Sequence, residues 1–150
     1  TEEGPKLIEY NARFGDPECQ VLMSRFQGDL ASLMLAVANG NLSAESSPSF
    51  SPDTALTVVM AAQGYPGTPQ KGGSISIDYV TQAKVFQAGT AEKDGQLVAD
   101  GGRVLSVTAM GHNVTEAQRN AYAAIEAIEF PTGFYRRDIG WREVDREAAL

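Results

Sequence analysis

Apolar residues recur at strand spacing through the second half of the chain. Residues 55–62 form a nearly continuous apolar run, which is typical of a buried β-strand. Shorter strands are predicted at 84–88 and 96–99, around a turn at 93–95 that contains Asp-Gly. A further strand is predicted at 103–109, after a pair of glycines. The spacing therefore predicts a small β-sheet.

One helix is predicted to cover this sheet. It begins at Thr115, which is a good cap residue, and ends near Ile128. Between them alanine and isoleucine recur on one helical face, as expected for a helix that packs on a sheet. The fold class predicted for this part is α+β, a small mixed sheet with one covering helix.

Two helices are predicted in the first third of the chain. Residues 17–26 have an apolar stripe, and Gln27-Gly28 ends that helix. Asp29 is predicted to cap the second helix, which ends at Asn39-Gly40. Its apolar stripe is predicted to face a core and consists of Leu30, Leu33, Met34 and Val37.

The stretch 43–52 is rich in serine and proline and is the best linker in the sequence. We therefore predict two units, 1–44 and 45–150. Near the end of the chain, 134–141 is predicted as a last strand or extended arm. The charged tail after Trp141 is expected to be a solvated helical turn or a frayed end.

Composition narrows the function classes. The 150 residues include 12 basic and 19 acidic side chains, a net charge of −7, which argues against a nucleic-acid partner. Cys19 is the single cysteine, so an internal disulfide is excluded and a cytoplasmic location is predicted. No apolar run reaches the roughly 18–20 residues of a membrane helix, so no membrane partner is expected. The start at Thr1, without an initiator methionine, suggests a fragment of a longer chain.

The candidate chemistry lies near the N-terminus. Residues 6–12 are predicted as a strand, and alternation places Glu9, Asn11 and Arg13 on one face, each roughly 6.5–7 Å from the next. Carboxylate and amide oxygens suit a hard cation such as Mg²⁺, and a guanidinium suits a phosphate. The alternative is a solvated face of a half-buried sheet, which these three residues alone do not exclude.

The residues after this row predict a tight exit into a helix. Gly15 permits a sharp turn, Asp16 is a good helix cap, and Pro17 suits the first helical position. Glu18 then lies in the first helical turn, where a negative charge is favoured. Strand, turn and capped helix thus follow each other directly.

The run 7–20, Leu-Ile-Glu-Tyr-Asn-Ala-Arg-Phe-Gly-Asp-Pro-Glu-Cys-Gln, resembles the metal-binding strand of the phosphoribosylamine–glycine ligase family, in the ATP-grasp superfamily. Segments 64–66, 85–90, 101–108 and 135–140 resemble further parts of that family, in the same order. The resemblance therefore covers essentially the whole chain. Glu-x-Asn is shared across the superfamily, whereas the extended run and Gly-Gly-Arg-Val-Leu are specific.

The resemblance implies the C-terminal part of an ATP-grasp lobe followed by the small β-rich domain. It implies a ligase of purine biosynthesis that joins glycine to 5-phosphoribosylamine, through a glycyl phosphate, with ATP converted to ADP and phosphate. Glu9 and Asn11 are then the ligands of Mg²⁺ or Mn²⁺, through which ATP is bound. Arg13 is the expected catalytic residue that steadies the transferred phosphate.

Two further residues are expected to contact substrate. Asp16 is expected to orient the amine or the glycine ammonium, and Arg103 to meet the ribose phosphate. Structural alternatives stay open for each of them: Arg13 pairing with Asp16 or Glu18, Asp16 acting only as a helix cap, and Arg103 packing across the lobe interface. Tyr135, Arg136 and Asp138 resemble family residues, and an Arg–Asp ion pair explains them equally well.

The resemblance also sets limits. Family members commonly have histidine where Gln87 stands, which weakens substrate-binding predictions for that segment. The adenine pocket and the covering loops lie in a preceding part of the same protein, so the chain alone is expected to be inactive. Alternative functions are another ATP-grasp carboxylate–amine ligase or carboxylase, and a non-catalytic β-rich binding module.

Overall fold

The computed structural model of the chain describes residues 2–42 and 47–150. Its helices are α1 (Glu18–Arg25), α2 (Leu30–Ala38), α3 (Val114–Ile125) and α4 (Trp141–Ala148). The strands before residue 90 are β1 (Phe26–Gln27), β2 (Ser49–Phe50), β3 (Thr54–Ala62), β4 (Ser76–Ile77) and β5 (Ala83–Gln87). The later strands are β6 (Thr90–Lys93), β7 (Gln96–Ala99), β8 (Arg103–Gly111), β9 (Ile128–Glu129) and β10 (Gly133–Tyr135). The α+β prediction is confirmed.

The centre of the fold is an antiparallel four-stranded sheet in the order β10-β3-β8-β5. Its two long strands pair from Thr54 opposite Gly111 to Ala61 opposite Arg103, with a register shift after Met60. The apolar run that predicted β3 lies at the middle of this sheet, as expected for a buried strand. The paired strands therefore form the rigid base of the molecule.

Helix α3 covers one face of the sheet. Asn113 caps it, since its side chain accepts a 2.9 Å hydrogen bond from the Glu116 N–H. The prediction of a cap at Thr115 was wrong by two residues, and the helix ends at Ile125 because the chain then enters β9. Its alanines bring the helix close to the sheet. The shared core is Leu56, Val58, Met60, Leu105, Val107, Ala109, Ala117, Ala121 and Ile125.

The opposite face of the sheet carries a second helix, which the sequence did not assign to it. Helix α1 contacts β3 and β8. On this face the Thr108 hydroxyl donates a 2.8 Å hydrogen bond to the Thr57 hydroxyl, so two polar side chains on neighbouring strands satisfy each other. Helix α1 therefore packs against the C-terminal sheet, and β8 is covered on both faces.

The charged tail forms an ordered helix rather than a frayed end. Gly140 precedes α4 with a φ of +82°, a conformation that glycine adopts without strain. The Glu147 carboxylate then accepts hydrogen bonds from the N–H groups of Val114 (2.8 Å) and Thr115 (2.9 Å) and from the Thr115 hydroxyl (2.6 Å). These hydrogen bonds lower the pKa of the Glu147 carboxyl group, and the bond from the Thr115 hydroxyl has the largest effect. Helix α4 thereby caps the start of α3.

Two sequence predictions fail in the first third of the chain. Residues 6–12 form no strand, because a strand needs a neighbour to satisfy its backbone groups and none of the described residues pairs with them. Helix α2 begins after the Asp29 cap as predicted. Its apolar stripe is nevertheless mostly exposed, with Met34 64% and Val37 60% accessible, and only Leu33 is half-buried.

The hairpin around residues 93–95 is confirmed, but its partner strand was misassigned. Strand β7 pairs with β6, and β5 pairs with β8 in the central sheet. Strand β6 was missed because Thr-Ala-Glu-Lys has no apolar alternation. The boundary predicted between residues 44 and 45 lies outside the described residues. No helix in the described ranges has the length and apolarity needed to cross a bilayer.

We predict that Leu105→Ala lowers the free energy of unfolding by about 2–5 kcal/mol, since it opens a cavity in the core at a fully buried position. Leu35→Ala is the matched control, because Leu35 is 61% exposed, and it should change stability by no more than about 0.5 kcal/mol. Urea unfolding of the chain measures both. Equal losses in the two variants would contradict the assignment of core and surface.

We predict that Glu147→Gln removes part of the pH dependence of stability. The folded-state pKa of Glu147 is lowered from 4.5, so its contribution is complete above that pH and is lost as the pH falls through the lowered value. The stability difference between wild type and variant should therefore shrink below about pH 4.5. Urea titrations from pH 7 to pH 3 measure this, with exposed Glu92→Gln as the control. Parallel curves for Glu147→Gln and wild type would contradict the cap.

Candidate functional site

Glu9 and Asn11 lie on an exposed, irregular segment. Their side chains make no hydrogen bond or ion pair with any other described residue, so their oxygens have no competing protein partner. No cluster of three or more His, Cys, Asp or Glu side chains suited to a metal exists in the described part of the chain. One carboxylate and one amide oxygen nevertheless fit Mg²⁺, which usually binds one or two protein groups and keeps waters and phosphates.

Arg13 is also exposed and makes only a local contact. Its Nη1 donates a 2.7 Å hydrogen bond to the carbonyl oxygen of Phe14. The ion pair with Asp16 or Glu18 that the sequence left open is absent among the described residues, because Glu18 instead accepts a 2.7 Å hydrogen bond from the Gly15 N–H. The guanidinium therefore keeps donors available for an anion.

Asp16 and Arg103, 87 residues apart, are in direct contact. Arg103 Nη2 lies 3.2 Å from Asp16 Oδ2, and Nη1 donates a 3.0 Å hydrogen bond to the Asp16 carbonyl oxygen. The other carboxylate oxygen accepts a 3.3 Å hydrogen bond from Gln20. Asp16 is therefore not the cap of α1, whose N-terminus has no side-chain cap, since the guanidinium and Gln20 engage the carboxylate instead.

A cleft of about 320 Å³ lies beside this ion pair, between the start of α1 and the sheet. Its lining residues are mostly apolar or aromatic and include two arginines, Arg103 and Arg136. Several of these residues lie in the segments whose sequence resembles the family, but only the fold shows that they are close together in space. The lining residues are Pro17, Thr57, Val59, Ala61, Tyr65, Arg103, Phe134, Tyr135, Arg136 and Ile139.

The second guanidinium of the cleft is already paired. Arg136 binds Asp138 through two hydrogen bonds, Nε to Oδ1 at 2.9 Å and Nη2 to Oδ2 at 2.7 Å. The hydrogen bond from Arg136 lowers the pKa of Asp138, and the same bond raises that of Arg136. The structure thus contains the ion pair that the sequence offered as the alternative to a ligand contact.

Nearby groups have local structural partners. Tyr122 donates a 2.8 Å hydrogen bond to the Arg136 carbonyl oxygen and accepts one from the Ile139 N–H, and burial raises the pKa of its phenol.

Gln87 accepts a 3.0 Å hydrogen bond from the Thr90 hydroxyl. At Gln87, where family members commonly have histidine, the side chain therefore binds its own turn.

Comparison with known proteins identifies the family. Residues 55–142 match the family model "Phosphoribosylglycinamide synthetase, C domain". The chain is 58% identical to a phosphoribosylamine–glycine ligase of Mesorhizobium japonicum over 99% of this chain and 36% of the relative. It is 46% identical to the trifunctional purine biosynthetic protein adenosine-3 of Gallus gallus, over 96% of this chain and 15% of that protein.

A solved structure agrees with the sequence matches. The crystal structure of phosphoribosylamine–glycine ligase from Thermotoga maritima superposes with a TM-score of 0.78 at 39% identity, over 91% of this chain and 34% of that one. This chain thus spans about a third of the length of these ligases. Because the family model covers more than half of the 150 residues, the chain belongs to the phosphoribosylglycinamide synthetase C-domain family.

Proposed function

We propose that this chain is the C-terminal part of an ATP-dependent ligase that joins glycine to 5-phosphoribosylamine. The products are glycinamide ribonucleotide, ADP and phosphate, and a glycyl phosphate is the intermediate. The observation that carries the proposal is the 58% identity to a ligase of this name over 99% of the chain, which includes the segment around Glu9. The family model alone begins at residue 55, after that segment.

The proposed roles follow from the donor groups. Glu9 and Asn11 hold Mg²⁺ or Mn²⁺, since both oxygens lack another protein partner among the described residues and such ions take oxygen ligands. When bound, the ion neutralises charge on the phosphates of ATP. Arg13 supplies a second positive charge for the phosphate in transfer, because phosphoryl transfer depends on positioning and charge neutralisation.

For Asp16 and Arg103, the contacts with an amine and with the ribose phosphate remain predictions. In the structure these two side chains bind each other. The net charge of −7 supports a role without nucleic acid, and the single cysteine supports a reducing compartment such as the cytoplasm.

The proposed partner is the rest of the same protein. The ligase of Mesorhizobium japonicum is about three times longer than this chain. We propose that the groups that bind adenine lie in that remainder, as the family resemblance implies. The exposed apolar residues of the N-terminal segment and of α2 support a covering element in the longer protein. The small-molecule substrates are glycine, 5-phosphoribosylamine and ATP.

We predict that Glu9→Gln in the full-length ligase lowers kcat by about 100-fold or more, because a neutral amide binds a divalent cation far less well. The fold should be unchanged, since Glu9 is exposed and its side chain makes no hydrogen bond or ion pair with another described residue. Steady-state kinetics at several Mg²⁺ concentrations and circular dichroism measure the two effects. Glu2→Gln, on the same exposed segment, is the control; normal activity of Glu9→Gln would remove Glu9 from the site.

We predict that the isolated 150-residue chain releases no ADP above background. Its described residues contain no cluster of three or more His, Cys, Asp or Glu side chains suited to a metal and no nucleotide-covering lobe. A coupled assay of ADP release, with glycine and 5-phosphoribosylamine present, measures this. The full-length ligase at equal concentration is the control. Sustained turnover by the chain alone would contradict the proposal that catalysis needs the rest of the protein.

A further inference from the structure

The central sheet fixes the backbone position of Arg103. It is the first residue of β8, and its backbone pairs with Ala61 on one side, while its carbonyl oxygen accepts a 2.9 Å hydrogen bond from the Gly89 N–H on the other. Gly102 before it lies against the Tyr65 ring, where an added Cβ would meet the ring at 2.5 Å. The sheet therefore fixes the backbone from which the Arg103 side chain extends.

Arg103 binds Asp16 at two points. One nitrogen reaches the carboxylate at 3.2 Å, and the other donates to the carbonyl oxygen of the same residue at 3.0 Å. Gln20 in α1 binds the remaining carboxylate oxygen. A guanidinium contact to both side chain and main chain fixes the orientation of the backbone as well as its distance, which a lysine ammonium does less well.

The contact lies where the exposed segment ends. Residues 5–11 have no strand partner in the described structure, whereas Gly15 is tied to α1 by hydrogen bonds to Glu18 and Cys19. Asp16 is thus the point at which the segment with Glu9 passes onto the sheet. Any displacement at Asp16 moves the end of that segment relative to the cleft.

We propose that Arg103 is a positioning residue for the metal-binding segment. Through its two contacts with Asp16 it holds the end of residues 9–13 against the C-terminal sheet, so that this sheet determines where the metal ligands and Arg13 lie. The proposal rests on the proposed function of Glu9 and Asn11. It differs from a ribose-phosphate contact, in which Arg103 would bind substrate directly.

The expected effect is moderate. The Arg103 and Asp16 side chains are 43% and 39% exposed, and an exposed ion pair alone contributes less than tenfold to an equilibrium constant. The additional main-chain contact and the link to α1 add to this value. We therefore expect loss of this contact to lower kcat about three- to tenfold and not to abolish activity.

The experiment is a double-mutant cycle in the full-length ligase, with Asp16→Asn, Arg103→Gln and the double variant. Each single variant should lower kcat about three- to tenfold and raise the Mg²⁺ concentration needed for half-maximal activity. The double variant should be no worse than either single one, because both remove the same contact. KM for glycine and for 5-phosphoribosylamine should stay within about twofold, and Arg103→Lys should recover part of the loss.

Hydrogen exchange of the ligand-free protein provides a readout that does not depend on activity. Peptides spanning residues 7–16 should exchange faster in Arg103→Gln than in wild type, because the end of the segment is no longer held. Lys71→Gln is the matched control, because Lys71 forms an exposed ion pair at 3.1 Å with Asp100, which precedes Arg103 by three residues. Neither residue of that pair has a hydrogen bond or ion pair with Asp16 among the described residues. Lys71→Gln should change neither exchange nor Mg²⁺ requirement.

Two results would overturn the positioning role. The first is additive losses in the cycle. The second is unchanged exchange together with a raised KM for 5-phosphoribosylamine alone, which would make Arg103 a substrate contact. Failure of the proposed function is separate, because it is detected by normal activity of Glu9→Gln, whereas exchange in residues 7–16 reports on the Asp16 contact in either case.

Discussion

The antiparallel pairing of β3 with β8 is the interaction on which the rest of the structure depends. These nine-residue strands pair along almost their whole length and are covered by α3 on one face and α1 on the other. Burial on both faces explains why the run 55–62 is apolar with little alternation. It also explains the Thr57–Thr108 hydrogen bond, since polar side chains at such a position need a partner.

The same pairing places the candidate site. Because Arg103 stands at the first position of β8, its side chain lies at the edge of the sheet where α1 begins. The contact with Asp16 then joins a rigid element to a segment without regular structure. The positioning role proposed for Arg103 rests on this contact, since catalytic groups work only when they are held in place.

The α3–α4 contact shows how local chemistry and fold combine at the other end of the molecule. The N-terminus of α3 has unpaired N–H groups, as every helix does. Asn113 satisfies one of them, and Glu147 from α4 satisfies two more. A negative charge at this position is also favoured by the helix dipole. The charged tail therefore adopts a definite structure, although its composition suggested a solvated end.

The sequence by itself determined the elements whose signals are local. Strand β3 follows from its apolar run, helix α2 from its Asp29 cap, and the turn at 93–95 from Asp-Gly. The metal and phosphate roles of Glu9, Asn11 and Arg13 stay predictions, since their residue types fit this chemistry but the predicted strand that would align them is absent from the described structure.

Only the tertiary structure decided which partners these elements have. Residues 6–12 carry a strand pattern, but none of the residues that the structure describes pairs with them, so they form no strand there. Asp16 has the chemistry of a cap, yet it binds Arg103, 87 residues away. The physical reason is the same in both cases: hydrogen bonds and ion pairs form between groups that the whole fold brings together, and spacing along the chain does not encode that distance.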